Sequence, residues 1–133
     1  MEHMKLHHVG IVMTSQERAD RFMEKMGFET DYVEYVEAYK ADCLFTKHGD
    51  DETPIELVIA KEGVLTTYNN GKGGIHHIAF EVEDVEATRK LYEEKGLHML
   101  EEQAVLGAGG IIVNFLRPRY GEGILTEFVQ KIN

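Results

Sequence analysis

Apolar and polar positions along the chain switch between two periods. Residues 6–13 alternate, with Val9 and Ile11 on one face and His8, Gly10 and Val12 on the other, which is the period of a strand. Over residues 15–26 the period lengthens, and Ala19, Phe22, Met23 and Met26 form a helical stripe. Thr14 followed by Glu17 reads as a capping box, and Gly27 suits the left-handed residue that ends a helix. Residues 28–37, 39–47 and 54–60 return to strand pattern, with His48-Gly49-Asp50-Asp51 as the turn before the last. Residues 62–74, with Asn69-Asn70-Gly71-Lys72-Gly73-Gly74, read as a flexible linker.

The same order then repeats. Residues 75–82 are a strand and Asp84 caps a helix over 85–95, whose stripe is Val85, Thr88, Leu91 and Tyr92. Gly96 ends that helix, and strands are expected near 98–104, 110–116 and 123–131, with the glycine-rich hinge Gly107-Ala108-Gly109-Gly110 before the seventh. The repetition is also literal. His7-His8-Val9-Gly10-Ile11 returns as His76-His77-Ile78-Ala79-Phe80, 69 residues later, and Ile55-Glu56-Leu57-Val58 returns as Thr126-Glu127-Phe128-Val129 at an offset of 71. The chain therefore reads as two β-α-β-β-β modules, 5–61 and 75–131, joined by the linker within a single domain of residues 1–133.

Each module supplies one His early and one Glu late. On the first, fourth, fifth and eighth strands, His8, Glu56, His77 and Glu127 all fall on the face that the helices do not cover. A slip of one residue in any strand would destroy that agreement. Two imidazoles and two carboxylates related by a duplication make a mixed nitrogen and oxygen donor set. Such a set suits one divalent metal ion, Zn, Co, Ni or Mn, with positions left open for water or substrate. A carboxylate on a buried face is costly without a cation, and the repeat places two of them equivalently. His7 and His76 turn toward the helix-covered face and read as structural; His3, His48 and His98 carry no signal.

Composition narrows the setting. A hydrophobic fraction of 43% and a charged fraction of 29% are those of a globular chain. No apolar run approaches the length of a membrane span and the start lacks a leader pattern, so a cytoplasmic protein is expected. Cys43 is the only cysteine, which excludes an internal disulfide and reads as a small core residue. The net charge of −10 argues against nucleic acid or an anionic membrane as partner. An anionic substrate would have to be met locally, by Lys61, Lys72, Arg117 or Arg119.

With these residues in view, the chain resembles the vicinal oxygen chelate superfamily, also called the glyoxalase/bleomycin-resistance fold, over essentially its whole length. The likeness is strongest to the methylmalonyl-CoA epimerases. It is carried by Leu6-His7-His8-Val9, Gly74-Ile75-His76-His77-Ile78, Leu106-Gly107-Ala108-Gly109-Gly110, Phe115-Leu116-Arg117-Pro118 and Gly123-Ile124-Leu125-Thr126-Glu127. The resemblance implies an α+β fold in which paired βαβββ modules build a cupped, mixed eight-stranded sheet with helices on its outer face. It implies the metal ligands His8, Glu56, His77 and Glu127. The implied reaction is removal of a proton alpha to the carbonyl of an acyl-CoA or other thioester, with Glu127 as both ligand and base. A homodimer is implied as well. A second acid/base is implied on or near the third strand; Glu34, Glu37 and Asp42 are candidates, and Asp42 is preferred because it sits inside a strand beside Cys43-Leu44-Phe45.

Two other readings share the donor set or the fold: a glyoxalase I-like lactoylglutathione lyase, and a non-catalytic small-molecule-binding protein of the antibiotic-resistance kind. The segment from 104 to 119 favours the epimerase over the lyase. The completeness of the ligand set counts against the binding protein. An extradiol dioxygenase needs only two His and one carboxylate, so the fourth donor speaks against that chemistry. After the fourth strand the chain departs from the epimerase pattern, with Val58-Ile59-Ala60-Lys61-Glu62-Gly63 and a short link.

Overall fold

Residues 3–132 are described in the computed structural model of the chain. Contacts divide it into two units: His8–His76, and a second that combines the N-terminal stretch to His7 with His77 onwards. In the first, β1 (Lys5–Met13, within this unit from His8), α1 (Gln16–Met26), β2 (Thr30–Val36), β3 (Ala41–Thr46) and β4 (Ile55–Ala60) follow in the expected order. The strands run β2-β3-β4-β1, with β1 and β4 parallel and the other pairs antiparallel. One face packs under α1, where Met13, Ala19, Met23, Leu44, Leu57 and Ile59 form the core with Ile11, Phe22 and Ile55 at its edge. Burial of Met13, Met23, Leu44, Leu57 and Ile59 stabilises the unit by about 1.5–3 kcal/mol each.

The second unit repeats this with β5 (Gly74–Glu81, within this unit from His77), α2 (Val85–Glu94), β6 (Val105–Gly107), β7 (Ile111–Leu116) and β8 (Thr126–Lys131). Its order is β5-β8-β7-β6, again with one parallel pair, β5 and β8. Val85, Met99, Leu116 and Phe128 pack with Phe80 and Tyr92 under α2. Gln130 Oε1 accepts from the Val85 amide at 2.9 Å, pinning the start of α2 to β8. The expected α+β class, with mixed β-sheet pairing in two βαβββ modules, is the observed one.

Four local expectations are corrected. Ser15, not Thr14, caps α1: its hydroxyl accepts from the Arg18 amide at 3.1 Å, while Thr14 Oγ1 is taken by the Arg18 guanidinium at 3.0 Å. Met26 and Leu91 lie on the outer sides of their helices, 51% and 42% exposed, so both apolar stripes are narrower than read. The linker is structured, with a 3₁₀ turn (Val64–Thr67) and an Asn69 side chain that holds the Gly73 carbonyl at 2.8 Å. Gly73 has φ +70°, and a Cβ there would lie 2.5 Å from the Val12 carbonyl oxygen, so this position of the linker admits only glycine.

The fourth correction is that no strand forms over 98–104. That segment pairs with β7 through one isolated β-bridge, Met99 to Leu116, and the true sixth strand is the short β6. The cause is Asn114. Its Oδ1 accepts from the Glu101 and Phe115 amides at 3.0 and 2.9 Å, and its Nδ2 donates to the Glu101 carbonyl at 2.9 Å. A side chain here takes the backbone groups that a ladder would have used.

Candidate metal centre

Residues opposite one another in a ladder share a face. In the first unit Gly10 pairs with Glu56 and Val12 with Val58, so His8, two residues before Gly10, lies on the Glu56 face. Phe45 pairs with Glu56 and Cys43 with Val58, which brings both onto the same face. In the second unit Ala79 and Phe115 both pair with Glu127, and Val113 pairs with Val129, placing His77 beside Glu127 in the same way. Around each His and Glu the ladder neighbours on the shared face are apolar: Gly10, Val12, Cys43, Phe45 and Val58 in the first unit, and Ala79, Val113, Phe115 and Val129 in the second. His8 Nε2 lies 3.2 Å from Glu56 Oε1, and His77 Nε2 lies 3.2 Å from Glu127 Oε1.

The two pairs are matched in their surroundings as well. The His8 ring meets Phe45 in a T-shaped contact at 5.1 Å, and the His77 ring meets Phe115 likewise at 5.4 Å. Neither phenylalanine stood out in the sequence. The repeat does carry the signal, since Leu44-Phe45-Thr46 returns as Asn114-Phe115-Leu116 at an offset of 70.

Whether a cation fits beside these pairs turns on what the buried polar side chains already hold. Among the described residues six polar side chains are buried: His8, Thr46, Glu56, His77, Asn114 and Glu127. Thr46 is explained by its hydroxyl, which accepts from the Ile55 amide at 3.0 Å, and Asn114 by the three bonds given above. The remaining four are the two His/Glu pairs, each residue 4% exposed or less. In each unit a carboxylate enclosed to this degree has an imidazole as its close polar neighbour, a nitrogen and oxygen pairing of the kind that ligates divalent cations.

Asp42 does not join this group. It pairs with Ile59 in the β3–β4 ladder and so lies on the α1 side of the sheet, where Lys61 Nζ approaches its carboxylate at 3.0 Å. The preference for Asp42 as second acid/base is thereby corrected. The row opposite is occupied differently: Glu34 pairs with Cys43 and Tyr32 with Phe45, so these two residues of β2 share the face of His8 and Glu56. Tyr32 stacks on Phe45 with centroids 5.1 Å apart and planes 17° from parallel. Burial, and after it the negative charge of Glu56, push its phenol up to about 12.

Other candidates fall outside the site. His76 is packed against Tyr68 at 4.8 Å, in keeping with a structural role. Lys61 is engaged by Asp42, and Arg119 lies over the Tyr120 ring at 5.2 Å. No helix among the described residues is long and apolar enough to cross a membrane.

A family model described as the glyoxalase/bleomycin resistance protein/dioxygenase superfamily matches residues 7–115. The mitochondrial methylmalonyl-CoA epimerase of Dictyostelium discoideum is 30% identical over 132 residues, covering 96% of this chain and 78% of that protein. Its counterpart from Mus musculus is 26% identical over 129 residues, covering 95% and 72%. Among solved structures, Streptomyces coelicolor methylmalonyl-CoA epimerase in complex with 2-nitronate-propionyl-CoA superposes with a TM-score of 0.86 at 26% identity, covering 97% of this chain and 98% of that one.

Proposed function

We propose, for a chain that belongs to the glyoxalase/bleomycin resistance protein/dioxygenase superfamily, that it is a metal-dependent epimerase acting on a 2-carboxyacyl-CoA thioester such as methylmalonyl-CoA. The observation that carries the reading is the pair of buried His/Glu couples, which among the described residues account for all four buried polar side chains other than Thr46 and Asn114. His8, Glu56, His77 and Glu127 would hold one divalent cation, Zn, Co, Ni or Mn. When bound, that ion supplies Lewis-acid stabilisation of the negative charge that develops on a thioester carbonyl oxygen.

The rest is the work of the chain. Glu127, 3% exposed, takes the proton from the carbon alpha to the carbonyl, and the apolar surroundings of Val129, Val113 and Phe115 keep water from competing for it. Inversion at that carbon requires a proton to return from the opposite side, hence a second acid/base. Glu34 is the carboxylate of β2 that shares the Glu56 face, and we assign it that role in place of Asp42.

The test is exchange at carbon 2. Protein stripped by chelator and then supplied with divalent metal should restore deuterium wash-in at C2 of methylmalonyl-CoA. Exchange that is equally fast in the stripped protein would remove the metal from the reaction. Activity on methylglyoxal plus a thiol, with none on the CoA ester, would transfer the assignment to a glyoxalase I-like lyase.

A further inference from the structure

β2 is exposed along most of its length, yet one residue of its middle is tucked in. Asp31, Val33, Glu34 and Tyr35 are exposed, whereas Tyr32 is half-buried, its ring flat against Phe45. Phe45 in turn meets the His8 ring, so Tyr32, Phe45 and His8 form a continuous aromatic row across the face that carries Glu56. Tyr32 also stands on the same cross-strand line as Glu56, by way of Phe45. The stack explains the ring. It does not explain the hydroxyl, because packing on Phe45 would be served equally by phenylalanine, and the described residues offer this hydroxyl no hydrogen bond.

A tyrosine is neutral at ordinary pH and donates without adding charge. That property matters on a face already holding carboxylates, and most for a ligand that brings another. A 2-carboxyacyl thioester does so, while a simple acyl thioester does not.

Resting on the reading above, we propose that the Tyr32 hydroxyl donates a hydrogen bond to the free carboxylate of the substrate, and that Tyr32 is thereby a specificity-determining residue. It selects carboxyacyl over plain acyl thioesters. The aromatic row aims it, with Phe45 fixing the ring and the hydroxyl left for the ligand.

The experiment compares wild type with Tyr32→Phe, both loaded with cobalt, against two probes: methylmalonyl-CoA, and propionyl-CoA, which lacks the carboxylate. Dissociation constants are measured by equilibrium binding, with KM and kcat for C2 exchange alongside. A hydrogen bond to a charged group corresponds to about a tenfold loss or more on removal. Tyr32→Phe should therefore weaken methylmalonyl-CoA by about tenfold and raise KM in step, leaving propionyl-CoA affinity and metal content as in wild type. Unchanged affinity for methylmalonyl-CoA overturns the proposal. Equal loss for both esters also overturns it, since that would mark the ring as packing rather than the hydroxyl as a reader of the carboxylate. Wild type that binds neither ester fails earlier, at the substrate class itself, and takes the proposal down with it. Tyr32→Leu, which removes stack and hydroxyl together, should weaken both probes.

Discussion

His8 and His77 occupy near-identical settings, each with a carboxylate oxygen 3.2 Å from Nε2 and a phenylalanine against the ring. The two glutamates are nevertheless given different work, Glu56 as a donor alone and Glu127 as donor and base. Amide substitution separates those roles, because it preserves an oxygen donor but removes the basic group. Glu127→Gln should lower C2 exchange by about 10²–10⁴-fold, the range ascribed to a positioned general base, with metal content unchanged. Glu56→Gln should lose clearly less. Isotope exchange and elemental analysis of the same samples would check both; wild-type exchange in Glu127→Gln would place the base elsewhere. The shared face of His8 with Glu56 and of His77 with Glu127 was legible in the sequence because their strands alternate cleanly, so parity assigns the face. Asp42 was misplaced for the opposite reason. The run Ala41-Asp42-Cys43-Leu44-Phe45 is apolar on both sides of the aspartate, and only its pairing with Ile59 shows which way the carboxylate turns.

The elements of the second module differ from those of the first at one residue in particular. Leu44 on β3 packs under α1, while Asn114, its counterpart on β7 at an offset of 70, holds the backbone of Glu101. The first module consequently has a seven-residue β2, and the second has the three-residue β6 preceded by an irregular run. Alternation over 98–104 reads as strand, and nothing in the sequence pattern distinguishes an asparagine that bonds backbone from one that points to solvent. Asn114→Ala removes partners from buried or half-buried backbone groups at a cost of about 2 kcal/mol or more. For a domain of this size that lowers Tm by roughly 5–10 °C. Asn114→Leu, which restores the residue of the first module, should not recover the loss, because the Glu101 amide and carbonyl remain unmet. Calorimetry of the three proteins decides this, and a Tm within a degree of wild type in either variant would deny Asn114 its anchoring part. The end of α1 and the start of α2 were better read: Gly27 is left-handed at φ +71°, and Asp84 caps α2 through the Glu86 and Ala87 amides, as the sequence implied.

For the molecule as a whole, the duplication poses a choice that the two His/Glu pairs do not resolve singly. Each pair could serve its own ion, or the two could hold one between them. A cation bound by one imidazole and one carboxylate is left mostly to water and held weakly, whereas four protein donors make a complete site with room for a bidentate substrate. Sharing predicts a stoichiometry of one ion per chain. It also predicts that His8→Ala and His77→Ala each abolish tight binding, instead of each removing half of it. The ion would then link the modules thermodynamically: at a free concentration of 100 times Kd it stabilises the native state by about 2.7 kcal/mol. Chelation should lower Tm accordingly, and that drop should be absent from both histidine variants. Titration calorimetry with thermal melts, carried out with and without chelator, measures all three quantities together. Two ions per chain, or a full metal-dependent rise in Tm in either variant, would mean that the repeat built two independent half-sites. The single-cation chemistry proposed for this fold would then have no place to occur.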